Sequence, residues 1–480
     1  MPDVAVVGSG PNGLAAAAVM ARAGLSVEVF EAARSIGGGT RTSELMQPGH
    51  FHDVCSAVHP MALASPFFRA FELPRRIDLV TPELSFGSPL DDGRAALAYK
   101  SLDRTVMELG RDGPAYRRLM EPLVRNIDDV MDFTQNQLLR IPRNPLVALE
   151  YGLRTLEQGS GLWNARFREQ LAPALLSGVA AHAISRLPSL AASGAGLMLG
   201  ALGHATGWPI PRGGSATIAA ALADDIRAHG GTSHTDTPLA RLEQLPATRA
   251  TLLDGAPRGL VQMAHDSLPA RYRRALEAFR YGNGSCKVDF ILSGPVPWQA
   301  PGLADAGTVH VGGTRAELAR SENEVSAGRH PELPYVLVAQ PSRFDSSRAP
   351  EGRHTLWTYC HVPAGSTEDM TGRITAQLER FAPGFRDLIV ESHSMTAAQL
   401  SQYNRNYVGG DFSAGIMDVR GLVQKPVISP VPWRTPLLGV YLCSSSTPPG
   451  PGVTGMPGMH AAKYALKDMF RLPVPDLGIR

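Results

Sequence analysis

Cysteine, lysine and aromatic residues are scarce in this 480-residue chain. The four cysteines, Cys55, Cys286, Cys360 and Cys443, stand far apart, with no C-x-x-C pair and no metal-ligand spacing. That excludes a dithiol reductase of the redox-pair type and fits a reducing compartment. Five of the 46 basic residues are lysines, at 100, 287, 425, 463 and 467. The net charge is +2 and no basic block occurs, which argues against nucleic acid as the main partner. The longest apolar stretch, 171–202, is broken by His182, Arg186 and Pro188. It reads as core helices or the wall of a lipophilic cavity, with no transmembrane segment. The first strand starts at residue 3, which leaves no room for a leader, so a cytoplasmic protein is expected. What is present is globular: 44% hydrophobic and 19% charged, in a chain long enough for two or three domains.

The most informative stretch is the first forty residues. Val4-Ala5-Val6-Val7 predicts a buried parallel strand, and Leu14–Ala23 predicts a helix stopped by Gly24. Between them lies Gly8-Ser9-Gly10-Pro11-Asn12-Gly13, and Ser26–Glu31 predicts a second strand closing on an acid. Strand, G-x-G-x-x-G, helix, strand, acid is the order of a dinucleotide site. Gly8 allows the tight turn, Gly10 admits a pyrophosphate to the backbone, and Gly13 lets helix and strand pack closely. The helix N-terminus that opens at Pro11-Asn12-Gly13 supplies unpaired N–H groups and a partial positive charge that favour the phosphates. Glu31, with Ala32 beside it, is placed to accept from a ribose 2′-OH.

A second glycine cluster, Gly37-Gly38-Gly39-Thr40-Arg41, follows the acid, as if the chain returned to the same ligand. Here the sequence resembles the FAD-dependent amine oxidase and phytoene desaturase superfamily, in which Gly-Gly after the acid packs along FAD. Gly37, Gly38, Thr40 and Arg41 are then cofactor contacts. Arg34 and Arg41 fit either phosphate contacts or solvated surface charges.

The resemblance continues along the chain. Its C-terminal part, Cys443-Ser444-Ser445-Ser446-Thr447-Pro448-Pro449-Gly450-Pro451-Gly452-Val453-Thr454-Gly455-Met456, follows an apolar strand (437–442) and precedes a helix (459–470). It is similar to the small-residue, Pro-Gly-x-Gly-x-x-Gly signature of phytoene desaturases, with one extra proline. The resemblance puts Ser446, Gly452, Val453, Gly455 and Met456 at the flavin ring, where a helix N-terminus stabilises the negative charge of the reduced ring. Pro211-Arg212-Gly213-Gly214-Ser215 with the helix and strand after it looks like the family's return to the FAD domain, which places Pro238 and Leu239 at the adenine. Ser215 is also a good N-cap. The shortened segment 241–256 departs from carotenoid desaturases. Closest in character are the flavoproteins that include the pyridine-nucleotide-disulphide-oxidoreductase-domain-containing type 2 group, although no cysteine pair supports the disulphide part of that name.

The resemblance implies an α/β architecture: a Rossmann-type, glutathione-reductase-2-like FAD domain from 1–62, 209–265 and 408–480, and a discontinuous α+β substrate domain from 63–208 and 266–407. Residues 63–200 read as largely helical, with single helices over Ala115–Gln137 and Leu146–Glu157. Strands are expected at 232–239, 286–292, 336–340 and 354–360. Lys287 fits the lysine that reaches flavin N5 through a water in amine-oxidase relatives, or a snorkelling strand lysine. Asp53 and His59 fit flavin-side contacts, or a turn and a satisfied core histidine. Tyr407 and Asp411 are candidates for lining the cavity.

The function expected is an FAD-dependent dehydrogenase, desaturase or oxidase. It moves a hydride from a C–H bond of a lipophilic, isoprenoid-like small molecule to flavin N5. Lys287, His59 and Tyr407 are the catalytic candidates, FAD is the only cofactor, and oxygen, a quinone or another carrier takes the electrons. An isomerase or saturase without net oxidation is the alternative, and a lipid-binding protein without FAD, like the prenyl-protein escort factors, a remote one. Substrate, oligomeric state and peripheral membrane contact are left open by the sequence.

Overall fold

The computed structural model describes residues 1–479. Strand β1 (Val4–Val7) and strand β2 (Val27–Phe30) flank helix α1 (Pro11–Arg22). The helix starts three residues earlier than apolar periodicity suggests, because Pro11 at its first position has the right φ and no N–H to satisfy. β1 and β2 sit in a five-stranded, wholly parallel sheet ordered 440–442, 250–253, 4–7, 27–30, 232–234. The small residues Ala15–Ala18 on α1 are fully buried, and α1 packs against the helices Ala216–Ala228 and Met456–Ala465. Chain segments some 400 residues apart thus share one core. Phe67, Phe68, Phe71 and Leu73, from the stretch expected in the substrate domain, pack into this core as well.

The second sheet has seven strands, ordered 389–395, 284–292, 354–362, 336–339, 306–311, 84–89, 95–99. Its pairs are antiparallel except 306–311 with 84–89. The expectation of a largely helical 63–200 is therefore corrected: Leu84–Pro89 and Ala95–Tyr99 are strands of this sheet. Both are too short and too uniformly buried to show a period-2 pattern. The single helix expected over 115–137 is two, Gly113–Arg125 and Ile127–Thr134, broken at Asn126. Beyond Ile127, the helix Pro145–Gln158 shows Leu146, Leu149, Leu153 and Leu156 to solvent. The strand expected over 232–239 stops at His234, and that expected over 437–442 is Val440–Leu442. The C-terminal helix begins at Met456 and its last turn is a wider coil over 466–470. Among the described residues, no helix is long and apolar enough to cross a membrane.

Candidate functional site

The carboxyl ends of β1, β2 and the strand 250–253 converge, as ligand-binding edges of parallel sheets do. β1 runs into Gly8, whose φ of +94° makes the turn, and Gly10 precedes α1 without capping it. A Cβ built on Gly38 would lie 2.9 Å from the Cα of Gly10, so the two glycine loops touch and neither tolerates a side chain between them. Asn12 reaches from α1 to Ser445 in the C-terminal loop, Nδ2 to Oγ 3.2 Å, while its Oδ1 is buried without a partner. All three glycine-rich segments therefore face one space.

That space is a cavity of about 1190 Å³. Ligand pockets of drug size run to roughly 300–1,000 Å³, so this one has room for a dinucleotide and a further molecule. Its wall includes Gly8, Gly10, Pro11, Glu31, Ala32, Gly38, Arg41, Pro238, Leu239, Ser446, Gly452 and Val453, and also His59 and Tyr407. Asn12, Gly13, Gly37, Thr40, Gly455 and Met456 lie behind it, in the turns and helix starts that hold the wall.

Several expected roles change once side-chain partners are seen. Glu31 stands at the end of β2, but Ser9 N and Oγ and Ala33 N already donate to its carboxylate. Arg41 is not a solvated charge: it is buried in the cavity wall, with Nη2 3.2 Å from Glu31 Oε1 and 2.8 Å from Ser35 O. Ser215 does not cap its helix; its hydroxyl donates to Ser56 O (2.6 Å) and lies 2.8 Å from His59 Nε2. Burial holds His59 neutral, pushing it down to about 4 against the opposing charge of Asp53. Asp53 is a structural acid, paired with the fully buried Arg348 and accepting from Thr42 Oγ1 (2.7 Å) and Ser215 N (2.8 Å). Asp411 clamps its own loop, accepting from the backbone N–H of Gly282, Ser413 and Gly415, and is not in the wall.

Lys287 is buried but does not line the cavity; its ammonium pairs with Asp289, whose other oxygen lies 3.5 Å from His52. Both residues sit opposite Tyr359 and Trp357 on the neighbouring strand, and the rings of those two form the wall there. Lys287 Nζ is 5.7 Å from the Trp357 ring centroid. Tyr407 does face the cavity, its hydroxyl 2.7 Å from where a Cβ on Gly39 would be, and burial raises its pKa far above the usual range.

Sequence reasoning missed Asp254. It ends the strand 250–253, and its Oδ2 accepts from Gly13 N at 3.0 Å, inside the first glycine loop. Burial raises it to about 7, with Glu31 adding to the effect and the N–H groups of Gly13 and Gly10 opposing it. An acid closing an apolar strand, followed by Gly255, was the signal available.

Charge is unevenly distributed along the cavity. Glu31, Arg41, Asp254, Arg258 and Arg405 are the charged residues of its wall, and all lie on segments that meet around the glycine loops. The other arm is walled by Phe133, Leu138, Tyr151, Leu190, Met198, Leu199, Leu422 and Val423. Uncharged polar groups interrupt it, among them Gln135, Asn136, Thr155 and His182, and Tyr151 donates its hydroxyl to Gly194 O at 2.6 Å.

The glycine loops fit a dinucleotide: two backbone turns with no room for side chains, a helix start whose own N-cap residue offers no side chain, and an acid at the second strand's end. Residues 6–71 match the NAD(P)-binding Rossmann-like domain family. The chain is 25% identical to mouse (Mus musculus) pyridine nucleotide-disulfide oxidoreductase domain-containing protein 2 and 23% identical to its rat (Rattus norvegicus) counterpart, covering 97% of this chain and 94% of each of those proteins. Its fold is that of an oxidoreductase from Methanosarcina mazei (TM-score 0.61, 15% identity, 95% of this chain and 98% of that one). Cyclohexylamine oxidase from Brevibacterium oxydans shares it too (TM-score 0.58, 16% identity, 97% and 99%). The likeness to these proteins runs over nearly the whole chain, and the solved structures share its α/β fold.

Proposed function

We propose that this protein is an FAD-dependent oxidoreductase that takes a hydride from a C–H bond of an uncharged, lipophilic small molecule. The observation that carries the reading is the single cavity with charge at its glycine-loop end and none along its apolar arm. We assign the nucleotide end to segments 1–62, 209–265 and 408–480 and the substrate arm to 63–208 and 266–407, except that Phe67–Leu73 pack into the first core, Arg405 stands at the nucleotide end, and Leu422 and Val423 reach the apolar arm. Gly8, Gly10 and Gly38 admit the pyrophosphate, Glu31 the ribose, Pro238 and Leu239 the adenine, and Ser446, Gly452 and Val453 the ring.

Bound FAD supplies the hydride acceptor. The protein's own share is positioning and exclusion of water: Trp357, Tyr359 and Tyr407 wall the junction between the two arms, and His59 is held neutral beside it. A protonated amine finds no counter-charge in the apolar arm, and leaving water for it unpaired is costly. Oxygen, a quinone or another carrier takes the electrons onward.

Purified protein is expected to be yellow with FAD, and anaerobic mixing with substrate to bleach it lastingly. Product formed without lasting bleaching points to the isomerase or saturase chemistry instead. Colourless protein that takes up no FAD sinks the proposal and leaves a lipid-binding role.

Asp254 gives this reading a pH signature. It ionises as pH rises through about 7 in the free protein. A pyrophosphate dianion in the adjacent loop favours the protonated acid, so binding takes up a proton. Affinity for FAD is highest below that value and is expected to fall by up to about tenfold per pH unit above it. Asp254→Asn should flatten the profile. FAD-release titrations followed by fluorescence across the neutral range test this, and a flat profile in the unmodified protein refutes it.

A further inference from the structure

The apolar arm holds a polar group that the reading above does not use. His182 sits in a turn at Ala181–Ala183, in the long apolar stretch of the sequence, and its ring lines the cavity. Its Nε2 lies 2.9 Å from Nε2 of His310, a wholly buried residue on the strand 306–311. Burial pushes both imidazoles far down, so both are neutral at ordinary pH. In a neutral pair at this distance, one Nε2 carries the proton and the other accepts it.

The surroundings of His310 decide which. Its Nδ1 is buried and has no hydrogen-bond partner. Gly178 packs against this side of the ring, where a built Cβ would stand 2.7 Å from the His310 Cβ and 2.9 Å from Nδ1, and no acceptor is within hydrogen-bond reach of that nitrogen. A buried polar group without a partner loses its desolvation energy, roughly 1–3 kcal/mol, and orphaned N–H groups are tolerated less often in protein interiors than under-satisfied acceptors. His310 therefore carries its proton on Nε2 and donates it to His182 Nε2. That fixes the remaining proton of His182 on Nδ1. The Nδ1 atom makes no hydrogen bond within the protein and is open to the cavity.

We propose that His182 is a neutral hydrogen-bond donor built into the apolar arm, and that the substrate carries an acceptor oxygen of the carbonyl kind that its Nδ1–H binds. This rests on the lipophilic-substrate reading and narrows it: a pure hydrocarbon leaves the donor unpaired. His310 acts as a positioning residue through the tautomer it imposes, and Gly178 leaves room for it. In a site built around a donor, a ligand lacking the acceptor is disfavoured because the buried polar group stays unpaired.

The test compares two probes of one shape, 1-tetralone and tetralin, on FAD-loaded protein. Wild type is expected to bind the ketone about tenfold more tightly than the hydrocarbon, the ~1.4 kcal/mol of one neutral hydrogen bond. In His182→Phe the ketone-to-hydrocarbon ratio should collapse to about one, and the ratio carries the test because the phenyl ring also alters the wall that both probes share. The carbonyl stretch of bound ¹³C-labelled ketone should shift down in wild type and not in the variant. Independently, ¹⁵N NMR of histidine-labelled wild type should read Nδ1–H at His182 and Nε2–H at His310. An unchanged probe ratio in His182→Phe overturns the proposal, and so does the reversed tautomer pair. Tetralin binding without ketone preference in wild type defeats this inference alone. Wild type that binds neither probe counts against the substrate reading as well.

Discussion

Gly10→Val is expected to purify colourless and folded. The Gly10 backbone lies at φ −64°, ψ 168°, which a valine adopts without strain, so the damage is steric rather than conformational. A Cβ there runs into the Asp254 carboxyl, the group that holds Gly13 N. Forcing atoms into a packed site costs roughly 1–3 kcal/mol, or about 5- to 150-fold in FAD affinity, before the lost approach of the phosphates is counted. Flavin absorbance per protein, with far-UV circular dichroism as the control for folding, is the measurement. A yellow, fully loaded Gly10→Val protein would show that the first glycine loop is not the phosphate cradle.

Asp53→Ala should have the largest effect on stability. Arg348 is wholly buried, and Asp53 is the partner of its Nη2, while its Nε and Nη1 make no hydrogen bond. Asp53 also holds Thr42 and Ser215, so it ties the second glycine segment to the helix 216–228. Removing one member of a buried ion pair strands the other charge, at a cost of roughly 3–5 kcal/mol. Urea unfolding followed by tryptophan fluorescence reads it. Arg348→Met added to Asp53→Ala should recover a good part of the loss, since no charge is then left unpaired. A drop below about 1 kcal/mol in the single variant would mean that water reaches Arg348.

The first forty residues were legible because their function is local. A tight turn, a helix start and an acid at a strand end are set by residues within about thirty positions, and each demands a particular residue type. The C-terminal glycine run was read from the family resemblance, and the fold brings Ser446, Gly452 and Val453 to the same cavity. Lys287 was not: its spacing predicts a strand lysine, and whether it reaches the cavity depends on Trp357 and Tyr359 on another strand. Arg41 reads as a surface or phosphate charge until Glu31 is seen to meet it in space. Leu84–Pro89 and Ala95–Tyr99 hid within a helical region because strands buried on both faces lack the alternation that marks half-buried ones.

By itself, then, the sequence determined the βαβ unit, the three glycine-rich segments and their order, and with them the fold and the place of a candidate dinucleotide site. Those follow from backbone chemistry that only glycine, proline and an acid at fixed spacing satisfy. Tertiary structure alone decided that Asn12 meets Ser445, that Asp254 enters the first glycine loop, and that His182 faces an apolar arm with His310 behind it. These are contacts between residues 128 to 433 positions apart, and no local propensity encodes them. They arise because strands and helices from distant segments must share one buried core.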